Sequence, residues 1–131
     1  MVIRKENNTD IKEISQVTIA AFKTLPISNH KEQFIVNALR IAGALTISLV
    51  AEIDGRVIGH LAFSPVTISD GKKNWYGLGP ISVLPEYQKQ GIEKSLINKG
   101  LSMLKELDGQ GCALVGDPNY YNRLGFGIIQ N

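Results

Sequence analysis

The residue order predicts one mixed α/β (α+β) domain, a mostly antiparallel sheet flanked by helices. Three observations carry that expectation. Asp54-Gly55 stands between two β-branched, apolar runs, Thr46 to Ile53 and Arg56 to Val66, which is the signature of a tight hairpin. Ile92, Leu96, Ile97, Leu101, Leu104 and Leu107 recur close to helical spacing. The apolar run Cys112 to Val115 follows that helix, and the order strand, helix, strand predicts a crossover with parallel pairing.

The remaining elements follow in order. Val2 and Ile3 begin a short strand. Asn8-Thr9-Asp10 offers N-cap chemistry to a first helix with Ile11, Ile14, Val17, Ala21 and Phe22 on one face. Pro26 and Ser28-Asn29 interrupt it. Asn29 then caps a second helix that carries Phe34, Ile35 and Leu39 and ends near Gly43. Ser69-Asp70-Gly71 makes a further turn, so Trp75 to Leu84 returns as the third strand of a meander and stops at Pro85. Gly91 precedes the long helix, and Gly109 and Gly111 close it. Asp117-Pro118 starts a short helix at Asn119, Gly125 ends it, and Phe126 to Ile129 forms a last strand.

Composition narrows the function classes. The chain has 131 residues, 44% of them hydrophobic, enough for a core that buries roughly two-thirds of the unfolded surface. No repeat, low-complexity tract or linker divides it, so residues 1–131 read as a single domain. A net charge of +2 is too weak a field to argue for nucleic acid or an anionic membrane, and no basic stripe with interleaved aromatics is present. The uncharged stretch Ile41 to Ala51 is far shorter than the roughly 20 apolar residues of a membrane span. Arg4, Lys5, Glu6 and Asp10 stand where a secretory leader would be apolar. Cys112 is the sole cysteine, so neither an internal disulfide nor a four-cysteine zinc site is expected, and the expected compartment is the cytoplasm.

The chemistry concentrates between Leu78 and Leu96, read as a strand, a polar loop and a helix start. Free loop amides, the positive end of the helix dipole, Lys89 and Lys94 together form a cradle for a phosphate or pyrophosphate. The plainer reading is that Gly91 only lets a surface loop enter a helix, and loop chemistry alone leaves both open.

Gln88-Lys89-Gln90-Gly91-Ile92-Glu93 resembles the Q/R-x-x-G-x-G/A loop of the GNAT superfamily of acetyl-CoA-dependent N-acyltransferases. Leu78-Gly79-Pro80-Ile81-Ser82-Val83-Leu84-Pro85-Glu86-Tyr87-Gln88 resembles the strand and loop of one bacterial branch. Gly116-Asp117-Pro118-Asn119-Tyr120-Tyr121-Asn122-Arg123-Leu124-Gly125-Phe126 resembles its distal helix. The likeness runs from residue 2 to about residue 129.

The resemblance implies a GNAT-like sheet in which a bulge in the strand of Ile81 and Val83 splays it from the strand near Cys112. It implies that the pantetheine arm of acetyl-CoA, the cosubstrate, pairs with the opened edge. The Val83 amide then polarises the thioester carbonyl, while amides of Gln88, Lys89, Gln90, Gly91, Ile92, Glu93 and Lys94 hold the pyrophosphate. Tyr121, four residues before Gly125, matches the family's Y-x-x-x-G-F tyrosine that meets the cofactor and protonates the departing thiolate. Core packing accounts equally for Ile81 and Val83, and aromatic packing is the alternative for Tyr121 and the leading reading for Tyr120.

The implied reaction is direct attack of a primary amine on acetyl-CoA, without metal. At pH 7 a lysine-like amine lies about three units below its pKa, a cost of roughly 4 kcal/mol, so a base or water path should help. Glu52, Glu86 and His60 are the candidates. Cys112 on an apolar strand reads as core rather than as an acyl-accepting nucleophile.

Two features depart from the family pattern. Glu93 occupies a position where glycine or alanine is usual; it either repels the diphosphate or points outward on the first helical turn. The chain also ends at Asn131, where the family continues through another strand lying between Cys112–Val115 and Phe126–Ile129. The expectation is a sheet lacking that final strand, its edge covered by a homodimer or closed by direct pairing. These departures favour the second function class, a degenerate, non-catalytic acyl-CoA-binding or interaction domain; Tyr121, Gly91 and the Gly79 to Val83 strand favour the enzyme.

Overall fold

A computed structural model describes residues 1–23, 30–66 and 74–114. Its sheet has five strands in sequential order: β1 (Val2–Lys5), β2 (Ile47–Ile53), β3 (Arg56–Val66), β4 (Trp75–Val83) and β5 (Gly111–Leu114). Strands β1 to β4 pair antiparallel, and β5 pairs parallel to β4. The helices are α1 (Ile11–Phe22), α2 (Glu32–Ile41) and α3 (Ile92–Glu106).

The hairpin forms where the sequence places it, because Asp54 (φ 50°) and Gly55 (φ 77°) both adopt the left-handed conformation that a primed turn needs. Register then sorts the side chains. His60 stands opposite Val50 and Ser82, while Leu61 stands opposite Leu49 and Ile81, so these two sets occupy opposite faces. Helix α3 covers the Leu61 face and fits closely: a Cβ on Gly100 would lie 2.4 Å from Phe63 and 3.1 Å from Leu61. Helices α1 and α2 cover the His60 face. The core joins Ile14, Leu49, Ile58, Leu61, Phe63 and Leu96, all essentially inaccessible to solvent.

Two local expectations are corrected. Asn7, not Asn8 to Asp10, caps the entry to the first helix, and Asn8–Asp10 is a short 3-10 turn leading into α1. The Asp10 carboxylate accepts from the Asn7 amide at 2.8 Å and from both terminal nitrogens of Arg4 at 2.8 and 3.1 Å. Arg4 first, with the Asn7 amide, holds Asp10 below the usual carboxylate range. In α2, Val36 rather than Phe34 or Ile35 enters the core; Phe34 is 61% exposed. A ten-residue helix with its apolar positions on several sides can bury only one stripe.

Asn29, the turn at Ser69 to Gly71, the distal helix with Tyr120 and Tyr121, and the strand Phe126 to Ile129 with its dimer edge lie outside the described residues. No described helix is long and apolar enough to cross a membrane.

Candidate active site

The site is built around a bulge in β4. Among the described residues, β4 pairs with β5 from Trp75↔Gly111 to Leu78↔Leu114, the last residue described. Directly beyond, the register with β3 slips: Leu61 faces Ile81 but Phe63 faces Leu78, so β4 carries an extra residue at Gly79-Pro80. Gly79 supplies the positive φ of 138° that this bulge requires. A bulge of this kind bends its strand.

Backbone alternation turns two amides away from β3. Leu84 N donates to Ile58 O at 2.9 Å, so Leu84 and, two residues earlier, Ser82 direct their backbone groups at β3. Ile81 and Val83 therefore turn theirs to the other side, away from β3. Their side chains remain in the core, each 1% exposed. The expected bulge is present; the expected splay from the strand near Cys112 falls beyond Leu114, outside the described residues.

The loop that follows reverses sharply. Pro85–Tyr87 makes a 3-10 turn; Lys89 (φ 63°) and Gly91 (φ 83°) are left-handed, and α3 starts at Ile92. Its first helical bond runs from Ser95 N to Gly91 O at 3.1 Å, and no side chain caps the helix. The amides of Ile92, Glu93 and Lys94 thus lack helical partners at the positive end of a fifteen-residue dipole. Lys89, Gln90, Gly91 and Lys94 are exposed around them, an arrangement suited to an anion. Gln88 does more than contribute an amide: its Nε2 donates to Val83 O at 2.9 Å. Only the fold could reveal that contact, since the 3-10 turn brings position 88 back to 83.

Glu93 corrects an expectation. Its side chain does not point outward; the residue is only 6% exposed. The proposed bases are also separated. Glu52 sits on β2 within 3.4 Å of Arg4, Glu86 is exposed in the 3-10 turn, and His60 is fully buried. Burial pushes His60 down to about 4, with Glu6 opposing and Arg40 adding to the shift, so its imidazole is neutral at pH 7. Cys112 is half-buried on β5, and burial raises its thiol pKa, which disfavours a thiolate nucleophile. No group of three His, Cys, Asp or Glu side chains among the described residues is placed to hold a metal.

A cleft of about 430 Å³ lies at the far end of α3, lined by Glu6, Arg40, Thr46, Ser48, Met103 and Leu107 among others. Burial of Glu6 raises its pKa, but hydrogen bonds from Arg40 and Ser48 outweigh it and leave the carboxyl below its ordinary value.

A bulged strand leading through a sharp loop into a capless helix fits an acyl-CoA-dependent acyltransferase, and the comparisons agree. Residues 14–126 match the Acetyltransferase (GNAT) family. The chain belongs to the GNAT acetyltransferase family. It is 36% identical over 127 residues to the uncharacterised N-acetyltransferase YhbS of Escherichia coli strain K12, covering 96% of this chain and 73% of that one. A crystal structure of a GNAT family acetyltransferase from Brucella melitensis in complex with acetyl-CoA shares 57% identity and a TM-score of 0.88, over 95% of this chain and 81% of that one. The crystal structure of YhbS from Escherichia coli in complex with CoA has 36% identity and a TM-score of 0.83, over 95% of this chain and 67% of that one.

Proposed function

We propose that residues 1–131 form one domain that moves an acetyl group from acetyl-CoA to a primary amine by direct attack. The observation that carries this reading is the β4 bulge at Gly79-Pro80, after which the Ile81 and Val83 amides turn away from β3. The similar proteins crystallised with acetyl-CoA and CoA support the choice of cosubstrate.

In this reading the pantetheine arm lies along Ile81 and Val83, and the Val83 amide stabilises charge growing on the thioester oxygen. The pyrophosphate rests on the amides from Gln88 to Lys94. Tyr121 gives its proton to the departing thiolate. The amine nitrogen bonds to the acetyl carbon, the carbon–sulfur bond breaks, and coenzyme A leaves as the thiol. His60 is no substrate-facing base, because it is inaccessible, so solvent or Glu86 takes the amine proton.

Titration calorimetry with acetyl-CoA, followed by thiol release over spermidine, ethylamine and glycinamide, tests the reading. Binding with turnover is expected, and Tyr121→Phe should lower kcat with little change in cofactor affinity. Binding without turnover on any amine would favour the non-catalytic alternative, which the buried carboxylate of Glu93 in the loop suggests. Absence of binding would remove both.

A further inference from the structure

Glu6, Ser48, His60 and Ser82 cross the sheet in a line. Glu6 follows β1, Ser48 lies on β2, His60 on β3 and Ser82 on β4. His60 is opposite both Val50 and Ser82, and Ser48 is two residues from Val50, so the three strand residues share the face under α1 and α2. Ser48 Oγ bonds to Glu6 Oε1 and lies 2.7 Å from His60 Nε2. Arg40 donates to both Glu6 oxygens, at 2.7 and 3.2 Å. At the inner end, His60 Nδ1 and Ser82 Oγ are buried and bond neither to each other nor to any other described group.

Donor arithmetic fixes the direction of this line. The Glu6 carboxylate can only accept, so the single Ser48 hydroxyl proton goes to it, and Ser48 Oγ must accept from His60 Nε2–H. The neutral imidazole then carries a bare lone pair on Nδ1. Ser82, directly across the ladder, holds the hydroxyl proton that this lone pair needs.

We propose that the Ser82 side chain rotates to donate to His60 Nδ1, a bond not made in this structure, completing a buried hydrogen-bond strut from Glu6 through Ser48 and His60 to Ser82, and that His60 is thereby a positioning residue for the Val83 amide. The proposal rests on the role proposed above for Val83. Ser82 stands directly opposite His60 in the β3–β4 ladder, immediately before Val83. The Ser82 carbonyl and the Val83 N–H share one rigid peptide plane, so a tie at Ser82 steadies the direction of that amide.

Nitrogen-15 NMR of the labelled full chain at pH 7 reads the strut directly. His60 should be protonated on Nε2, with an Nδ1 resonance displaced by an accepted hydrogen bond, and Ser82→Ala should return Nδ1 to the free lone-pair position. With the fastest of spermidine, ethylamine and glycinamide, Ser82→Ala and His60→Leu should lower kcat about five- to tenfold, the scale of one neutral hydrogen bond. Acetyl-CoA affinity by calorimetry should stay unchanged, and His60→Asn, whose amide oxygen falls near the Nδ1 position, should recover most of kcat. A wild-type Nδ1–H tautomer overturns the strut, as does a Ser82→Ala variant with unaltered Nδ1 resonance and kcat; that variant decides the matter even if His60→Leu does not fold. Wild-type protein that fails to bind acetyl-CoA overturns the proposed function and with it the positioning role, while the resonance still decides the bond.

Discussion

The Gln88 side chain donates to the Val83 carbonyl at 2.9 Å, so the first residue of the anion loop grips the last residue of β4. Two halves of the proposed cofactor site are thereby held as one rigid unit. Gln88→Ala should weaken acetyl-CoA binding about three- to tenfold by calorimetry, the loss expected for one hydrogen bond. The melting temperature should hardly move, because Gln88 is only half-buried.

Gly91 separates conformational from steric demand. Its φ is 83°, yet a Cβ there would meet nothing within 4 Å. Gly91→Ala should therefore cost about 1 kcal/mol, from the left-handed backbone alone, in urea unfolding. Gly91→Pro is incompatible with that φ and should abolish coenzyme A binding.

The burial of Glu93 changes how its charge should act. A carboxylate near a diphosphate repels it, and a buried charge is little screened by salt. Glu93→Gln should tighten acetyl-CoA binding several-fold at low ionic strength and retain most of the gain at 0.5 M salt. Equal affinities for the two proteins across that range would mean the carboxylate is directed away from the phosphates.

Acid should destabilise the fold through His60. Its folded value of about 4 lies below the ordinary 6.5, so the unfolded chain binds the proton first. The stabilisation is fully present above about pH 6.5 and is lost as pH falls toward 4, by about 3 kcal/mol in total. Glu6 and Asp10, both held below their ordinary values, extend the loss to lower pH with the same sign. Urea unfolding between pH 7 and 4 should show the slope, and His60→Gln should flatten it.

Much of this architecture can be read from local chemistry. Asp54-Gly55 specifies its turn by backbone conformation, and the apolar spacing from Ile92 onward finds α3 to within a residue or so of its end. Phe34 and Ile35 mislead, because hydrophobic character does not say which stripe of a short helix meets the sheet. The line from Glu6 to Ser82 is invisible in sequence for another reason. Its members lie far apart along the chain and meet only through strand register, which a one-residue slip would invert. The Gln88 contact likewise needs the turn geometry before it exists.

The side of β4 that Ile81 and Val83 turn away from β3 is also fenced. Pro80, which has no N–H, precedes the pair Ile81 and Val83, and Pro85 closes the strand on the other side. Between these fences stand two outward donors, about 7 Å apart. A foreign β-strand needs a longer row than that to template itself, so these two donors suit a short guest with a few amide-like groups better than the open-ended pairing that leads to aggregates. The same prolines that interrupt the sheet keep its interruption from becoming a liability.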